Sequence, residues 1–338
     1  MINSVEISVL MSAYNASKYL RAAMDSILTQ TFANFEFIIV NDGSTDATEN
    51  IIRSYTDNRI VYVRNDTNLG LIESLNKGLD LAKGKYIARM DADDIAMPER
   101  LQDQLAVFRE HKEIVAVGSD YYLLSGETLN MEVNINDSDY QKTILLFATC
   151  FAHPTVMIKN IFKETGLRYN KEFNHTEDYK LWTDLSFHGD FYNVGKPLLK
   201  YRSHPTQVSV QNRSTQFDLS DSIRRNYLQK LGFSFSEEEF KIHSLIGNNE
   251  FIRSKEQLLA IETWLNSLVD QNESLKKLKA DSFKRAIHKF WFDSCGNTNL
   301  GLYAFKSFTR SGLSKIYPTS LAMKSRLFGK CVLRFVKK

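Results

Sequence analysis

Tyr86-Ile87-Ala88-Arg89-Met90-Asp91-Ala92-Asp93-Asp94 is the stretch on which the reading of this chain turns. It is a short apolar run of strand character that ends in three carboxylates with no cation among them. Side chains two apart on a strand point to the same side, so Asp91 and Asp93 can converge on one point. Three anions gathered at a strand end repel one another, and a hard divalent cation held by oxygen ligands relieves that repulsion. The plainer alternative is a solvated acidic turn leading into a helix that Pro98 opens.

Working outward, residues 5–11, 35–40 and 60–63 are further short runs rich in β-formers. Helical patterns alternate with them. One covers about 16–28 with Asn15 or Ser17 as its cap. A second opens at Thr45, where Asp46 and Glu49 stand at capping-box spacing, and a third carries Leu71, Leu75 and Leu79 on one face. After the acidic strand, Pro98 starts a helix through about Glu110. Residues 114–118 then continue as strand into 121–124, and 191–194 and 198–201 read as two short strands. Alternation of this kind predicts an α/β fold, Rossmann-like, with a mostly parallel sheet flanked by helices. Ligands on such sheets bind beyond the carboxyl ends of the strands. Three strand ends carry polar clusters: Ser12-Ala13-Tyr14-Asn15, Asn41-Asp42-Gly43-Ser44 and Asp91-Ala92-Asp93-Asp94. A parallel sheet would set them along one edge.

No Gly-x-Gly-x-x-Gly follows any strand, which argues against a dinucleotide dehydrogenase. Gly78 to Gly84-Lys85 misses the phosphate-loop spacing, and Tyr86 stands where Ser or Thr is needed. A site without a glycine cradle can still manage phosphate charge through a carboxylate-held Mg²⁺ or Mn²⁺.

The 338 residues, 43% hydrophobic and 25% charged, suffice for two domains or one large domain with an appendage. No apolar run approaches the ~18 residues that span a bilayer, and no secretory signal is visible at Met1-Ile2-Asn3-Ser4. Cys150, Cys295 and Cys331 fit neither a disulfide framework nor a zinc site, so a cytoplasmic setting is expected. Charge is divided unevenly. Residues 274–338 hold 15 of the 43 Lys and Arg but only two acids, Asp281 and Asp293. That division suggests an acidic catalytic body with a basic tail for a polyanionic surface.

Taken in order, Ser-x-Tyr-Asn (12–15), Val-Asn-Asp-Gly-Ser-Thr-Asp (40–46), Asn-x-Gly (68–70), Gly-Lys-Tyr-Ile (84–87), Asp-Ala-Asp-Asp (91–94), Glu-Asp (177–178) and Tyr-Arg-x-His (201–204) resemble the family-two inverting glycosyltransferases of the GT-A fold, bacterial surface-glycan type. The likeness covers roughly residues 5–210. It implies a glycosyltransferase domain over 1–214, with a nucleotide-sugar half at about 1–124 and an acceptor half at about 125–214. A helical, basic C-terminal region over 215–338 would follow. It also implies roles. Ala13, Tyr14, Asn15, Asp42, Asn68, Asp91, Ala92 and Asp93 would bind the donor, with Asp42 placed to accept the imide N–H of a uracil. Asp93, Asp91 and His204 would serve the metal, Mn²⁺ or Mg²⁺, and Asp94 could share either role of its neighbours. Asp178 would be the general base, with Glu177 and His153 at the acceptor. For each residue a plain structural role competes: a turn at Asp42, helix-terminus charge at Asp178, loop positions at His153 and His204.

The resemblance thus implies transfer of one sugar from a nucleotide-diphosphate-sugar, UDP-linked, to a glycan or lipid-linked glycan. The Gln-x-x-Arg-Trp signature of processive synthases is absent, which favours single transfers over polymerisation. A sugar-phosphate nucleotidyltransferase would want a glycine-rich, lysine-bearing loop where Ser12–Asn15 stand. A non-catalytic membrane-surface protein would leave the acidic cluster unexplained, and the aromatics do not interleave with the basic residues as nucleic-acid stacking requires. Helical spacing continues near 216–231, 237–246, 255–270 and 275–292. At the end, Arg326, Lys330, Arg334 and Lys337 fall on one side of a helix, with Phe328, Val332, Phe335 and Val336 roughly opposite and Leu333 the exception. Such a segment suits an anionic membrane surface, which would make the protein peripheral on the inner face of the plasma membrane.

Overall fold

The structure is a computed structural model and describes residues 5–126, 128–203 and 213–336. The chain divides into two compact units, residues 1–138 with 151–216, and residues 139–150 with 217–338.

The first unit is built on one nine-stranded sheet, ordered β3-β2-β1-β4-β8-β6-β9-β5, with β7 paired to β6. The strands are β1 (Ile7–Ala13), β2 (Phe35–Asn41), β3 (Ile60–Arg64), β4 (Tyr86–Asp91), β5 (Ile95–Ala96), β6 (Ile114–Ser125), β7 (Thr128–Glu132), β8 (Met157–Lys159) and β9 (Asp190–Ser203). Helices α1 (Leu20–Leu28), α2 (Thr48–Arg53), α3 (Leu71–Leu81) and α4 (Arg100–Glu110) connect the early strands. β1 lies between β2 and β4, and all of these pair in parallel. Ile7, Val9, Leu10, Met11, Phe37 and Ile39 are fully covered, as expected of parallel strands that carry helices on their faces.

Register decides where the polar clusters go. Ser12 stands opposite both Val40 and Asp91, and Ala13 opposite Asn41. The ends of β1, β2 and β4 therefore finish level, side by side. The other half of the sheet is mixed, because β8 runs antiparallel between β4 and β6. The expected pair of strands at 191–201 is one strand, β9, parallel to β6. Val194 pairs with Ser119 and Pro197 with Asp120, so Gly195 and Lys196 are extra residues in the ladder. A proline that cannot donate and a flexible glycine are tolerated in a bulge of this kind, which hides the strand's continuity from a periodicity reading.

The second unit is helical: α5 (Ser138–Ile144) joins α8 (Arg213–Leu231), α9 (Glu237–Gly247), α10 (Lys255–Leu275), α11 (Ala280–Gly296), α12 (Leu302–Arg310) and α13 (Leu321–Val336). Between them in sequence, α6 (Phe162–Thr165) and α7 (Glu177–Leu185) belong to the first unit. Residues 139–150 pack with the C-terminal helices although they lie within the span expected for the acceptor half. Arg224 Nε donates to Phe147 O at 2.7 Å, and the Phe147 and Phe290 rings lie 4.1 Å apart. His243 completes the anchorage. Trp264 Nε1 donates to its Nδ1 at 3.1 Å, so the neutral ring carries its proton on Nε2, which donates to Leu146 O at 2.7 Å.

Candidate functional site

Two loops at the ends of β1 and β2 are sewn together. Asn15, with φ of 47°, accepts on Oδ1 from Thr45 N at 2.9 Å, and its own N–H donates to Ser44 Oγ at 3.0 Å. Ala16 N donates to Thr48 Oγ1 at 2.8 Å and Ser17 N to Asp46 Oδ2 at 3.0 Å. These bonds correct the local expectation. Asn15 and Ser17 do not cap α1, whose N-cap residue is Tyr19. Nor do Asp46 and Glu49 form a capping box. Asp46 Oδ1 accepts from Thr48 N at 2.9 Å, and Glu49 pairs with Arg53 and Arg64. Asn15 thus bonds a loop distant in sequence, and Asp46 divides its two oxygens between the start of α2 and that distant loop.

Ala13 is buried at the end of β1, and Tyr14 is 48% exposed beside it. Asp42 is 2% exposed. Its Oδ1 accepts from Asn65 Nδ2 (2.7 Å) and Leu69 N (2.9 Å), and its Oδ2 from Gly70 N (2.8 Å). Asn68 Oδ1 takes the same Gly70 N at 2.9 Å. Asp42 therefore braces the 65–70 loop, with acceptor capacity left on Oδ2. Gly43 must be glycine here: φ is +69°, and a Cβ would come within 2.4 Å of the Thr67 carbonyl carbon.

Carboxylate oxygens of Asp91, Asp93 and Asp94 lie within 4.8 Å of one another. Asp94 is 1% exposed; Oδ1 accepts from Arg202 N at 2.8 Å, and Oδ2 is buried without a hydrogen-bond partner. Burial first, and then the charges of Asp91 and Asp93, push its carboxyl well above the usual range. An orphaned, buried oxygen beside two more carboxylates fits a hard divalent cation with oxygen ligands. The pairing of β5 with β9 brings Arg202 to this turn, where its Nε donates to Asp93 O at 2.8 Å and its guanidinium lies 4.3 Å from the Tyr19 ring centroid. Tyr201 and Arg202 of the Tyr-Arg-x-His motif thus meet the acidic turn. His204, expected at the metal, lies outside the described residues.

The acidic run does have a cation: Arg89, 3% exposed, whose Nη1 pairs with Asp91 Oδ1 while its Nε has no hydrogen-bond acceptor. The sequence reading missed it, although β4 ends at Asp91 and strand parity sets Arg89 on the same side as Asp91. Its charge acts on Asp94, Glu177, Asp178, His153, Tyr169 and Tyr201. Arg100, fully buried, donates from Nη2 to Arg89 O at 2.6 Å and fixes this part of β4 from behind.

Glu177 and Asp178 open α7. Burial pushes Asp178 up to about 6, while the Tyr179 N–H, at 2.7 Å from Oδ1, and the Arg89 charge pull against it. Glu177 is raised to about 7, by burial and by Asp178, and its Oε2 is buried without a partner. His153 is 8% exposed, with Nε2 at 2.8 Å from Tyr169 Oη and its ring edge-on to Trp182. Burial, and then Arg89, hold it neutral.

A carboxylate cluster and a braced loop thus stand at strand ends of the sheet, and a raised acidic pair opens α7. The profile of glycosyl transferase family 2 matches residues 8–166. An uncharacterized glycosyltransferase of Haemophilus influenzae is 33% identical over 279 residues, which covers 75% of this chain and 85% of the relative. The chain belongs to glycosyl transferase family 2. It is a glycosyltransferase. The O-antigen biosynthesis glycosyltransferase WbnJ of Escherichia coli is 35% identical over 242 residues, 66% of this chain and 89% of that one. Among solved structures, S. aureus TarS 1–349 in complex with UDP-GlcNAc matches 90% of this chain and 92% of its own, with a TM-score of 0.59 at 19% identity. That likeness speaks to the GT-A fold alone.

Proposed function

We propose that this family-two enzyme is a metal-dependent, inverting glycosyltransferase. It moves one sugar from a nucleotide-diphosphate-sugar, UDP-linked, to a glycan or lipid-linked glycan in surface polysaccharide assembly. The observation that carries the reading is the pair of acidic centres, Asp91/Asp93/Asp94 and Glu177/Asp178, under the charge of one buried guanidinium. WbnJ is named for O-antigen biosynthesis and TarS was solved with UDP-GlcNAc, which supports the donor and product class. The basic C-terminal segment fits a peripheral enzyme on the inner face of the plasma membrane; among the described residues no helix is long and apolar enough to cross a membrane.

In this reading Ala13, Tyr14, Asn15, Asp42 and Asn68 line the nucleoside end of the donor. Asp93 and Asp91, with Asp94 beside them, would hold Mn²⁺ or Mg²⁺, and Asp91, fixed by Arg89, would also orient the ribose side. A cation held there would supply positive charge to the departing diphosphate. Asp178 does the proton work. It removes the proton of an acceptor hydroxyl as that oxygen bonds to the anomeric carbon, and the bond from that carbon to the diphosphate oxygen breaks on the opposite face. A base poised near 6 is largely ionised at neutral pH yet basic enough to accept the proton. Glu177 and His153 contact the acceptor.

Screening nucleotide-sugars with Mn²⁺ and Mg²⁺ tests this. Asp93→Ala is expected to lose metal-dependent donor binding. Asp178→Ala is expected to keep donor binding and lose roughly 10²–10⁴-fold in turnover. Full turnover by Asp178→Ala would place the base elsewhere.

A further inference from the structure

From Ser294 to the C-terminus the chain holds nine Lys and Arg and no acid. Large apolar side chains are exposed in the same stretch: Leu302 at 52%, Leu321 at 83%, Phe328 at 45% and Val332 at 36%. Helix α13 does not dock with the face that its sequence pattern calls apolar. Leu327 and Cys331 are the buried contacts, with Cys331 Sγ donating to Cys295 O at 3.6 Å. At 100° per residue Leu321, Phe328 and Val332 fall within about 40° of one another, about 100° around the helix from Leu327 and Cys331. This leaves them outward. The stripe continues onto α12, because the Phe305 ring meets Phe328 edge-on at 5.2 Å and Leu302 lies three residues before Phe305 on the same face. Lys306 and Lys324 follow Leu302 and Leu321 by about one turn along these helices.

We propose that this two-helix surface seats the protein on an anionic phospholipid bilayer. The inference rests on the membrane-attached reading given above and names the surface that carries it. Charge chooses the occupant. A second copy of the same face would bring basic residues against basic residues with no acid to pair them, whereas phosphatidylglycerol headgroups are complementary to it. The apolar stripe would enter the headgroup–acyl boundary while Lys306 and Lys324 reach outward along their stems to the phosphates.

Flotation of the full chain with vesicles of phosphatidylcholine containing phosphatidylglycerol, against phosphatidylcholine alone, reads this directly. Binding is expected to need the anionic lipid. Phe328→Ser with Val332→Ser should weaken it at least about tenfold, and Lys324→Gln about fivefold. Because these side chains are exposed, thermal melts should match wild type; Leu321→Ser serves as an independent apolar variant should the pair unfold. Equal vesicle binding by wild type and the folded variants would overturn the proposal. So would a dimer in sedimentation that the same substitutions dissolve, since that assigns the face to a second copy. Wild-type protein that floats with vesicles but transfers no sugar would instead fail the functional reading and leave the surface standing.

Discussion

The acidic edge of the sheet and the buried network of the helical unit are both rich in polar groups, yet they are built on opposite terms. Around Arg224 every charge has its partner. Its Nη1 meets Asp221 and Asn248 Oδ1, Ser244 Oγ donates to Asp221, and the single proton of His243 is committed to Leu146 O. At the edge, Asp94 Oδ2, Glu177 Oε2 and Arg89 Nε are buried without hydrogen-bond partners. Orphaned buried groups cost more than satisfied ones return. The helical unit has unpartnered buried groups too, at Gln141 and Trp291 Nε1, but these are neutral; charged ones at the edge of the sheet are what a ligand arriving from outside would answer, whereas the Arg224 network fixes where helices sit. The contrast separates the residues that work from those that support.

Substituting Arg89 strikes the contrast hardest. Arg89→Met leaves Asp91 without its partner and should lower stability by about 3 kcal/mol, as breaking a buried pair does. It should also move the acid limb of the pH–rate profile upward. On the proposal that the Asp178 carboxylate is the base, the rate falls as pH drops through about 6. Without the guanidinium nearby, that carboxyl keeps its proton to higher pH. Arg89→Lys should return the limb toward wild type. A profile for Arg89→Met that overlays the wild-type curve would show that the two acidic centres are independent.

The closed network predicts a different pH effect. His243 is held down to about 3, chiefly by burial. Its unfolded value is near 6.5, so between these limits the unfolded chain takes up the proton and the folded chain does not. Stability is present above the unfolded value and is lost as pH falls, by about 1.4 kcal/mol per unit. Urea melts followed by Trp264 fluorescence at pH 7 and pH 5 should differ by about 2 kcal/mol from this group. A His243→Gln protein should show a flatter dependence.

The smallest effect is the seam between the β1 and β2 loops. Asn15→Ala removes an acceptor for Thr45 N and places alanine at positive φ, which should cost about 1 kcal/mol. If the seam shapes the donor end, KM for the nucleotide-sugar rises severalfold while kcat holds. Equal changes in both would give the seam only a structural role.

Much of this was legible in the sequence because the parallel half of the sheet repeats one instruction. Apolar runs at β1, β2 and β4 alternate with helical faces such as Leu71, Leu75 and Leu79, and short polar clusters mark where each strand stops. What was hidden depends on pairing across long separations. Arg89 sits within the opening stretch, but its significance comes from Asp178 and Glu177, reached only through the fold. Asn15 and Asp46 carry the chemistry of caps, and tertiary contacts recruited that chemistry for a seam. β9 was split by Gly195 and Pro197, which a ladder absorbs as a bulge and local patterning reads as a break. Leu327 and Cys331 likewise became the docking face of α13 through what surrounds them.

Arg202 holds Asp94 through its backbone N–H and the Asp93 carbonyl through its side chain. The chain between them, 108 residues from contact to contact, therefore leaves and returns to a single clasp. For protein engineering this marks natural splice points. Surface turns carried on that excursion, such as 170–174, can be exchanged for those of a relative while the carboxylates at its root keep their frame. Closing a long loop costs only slowly more as it lengthens, so such grafts can differ in length. If, as proposed, this excursion carries the acceptor side, acceptor preference becomes transplantable while the donor apparatus stays behind.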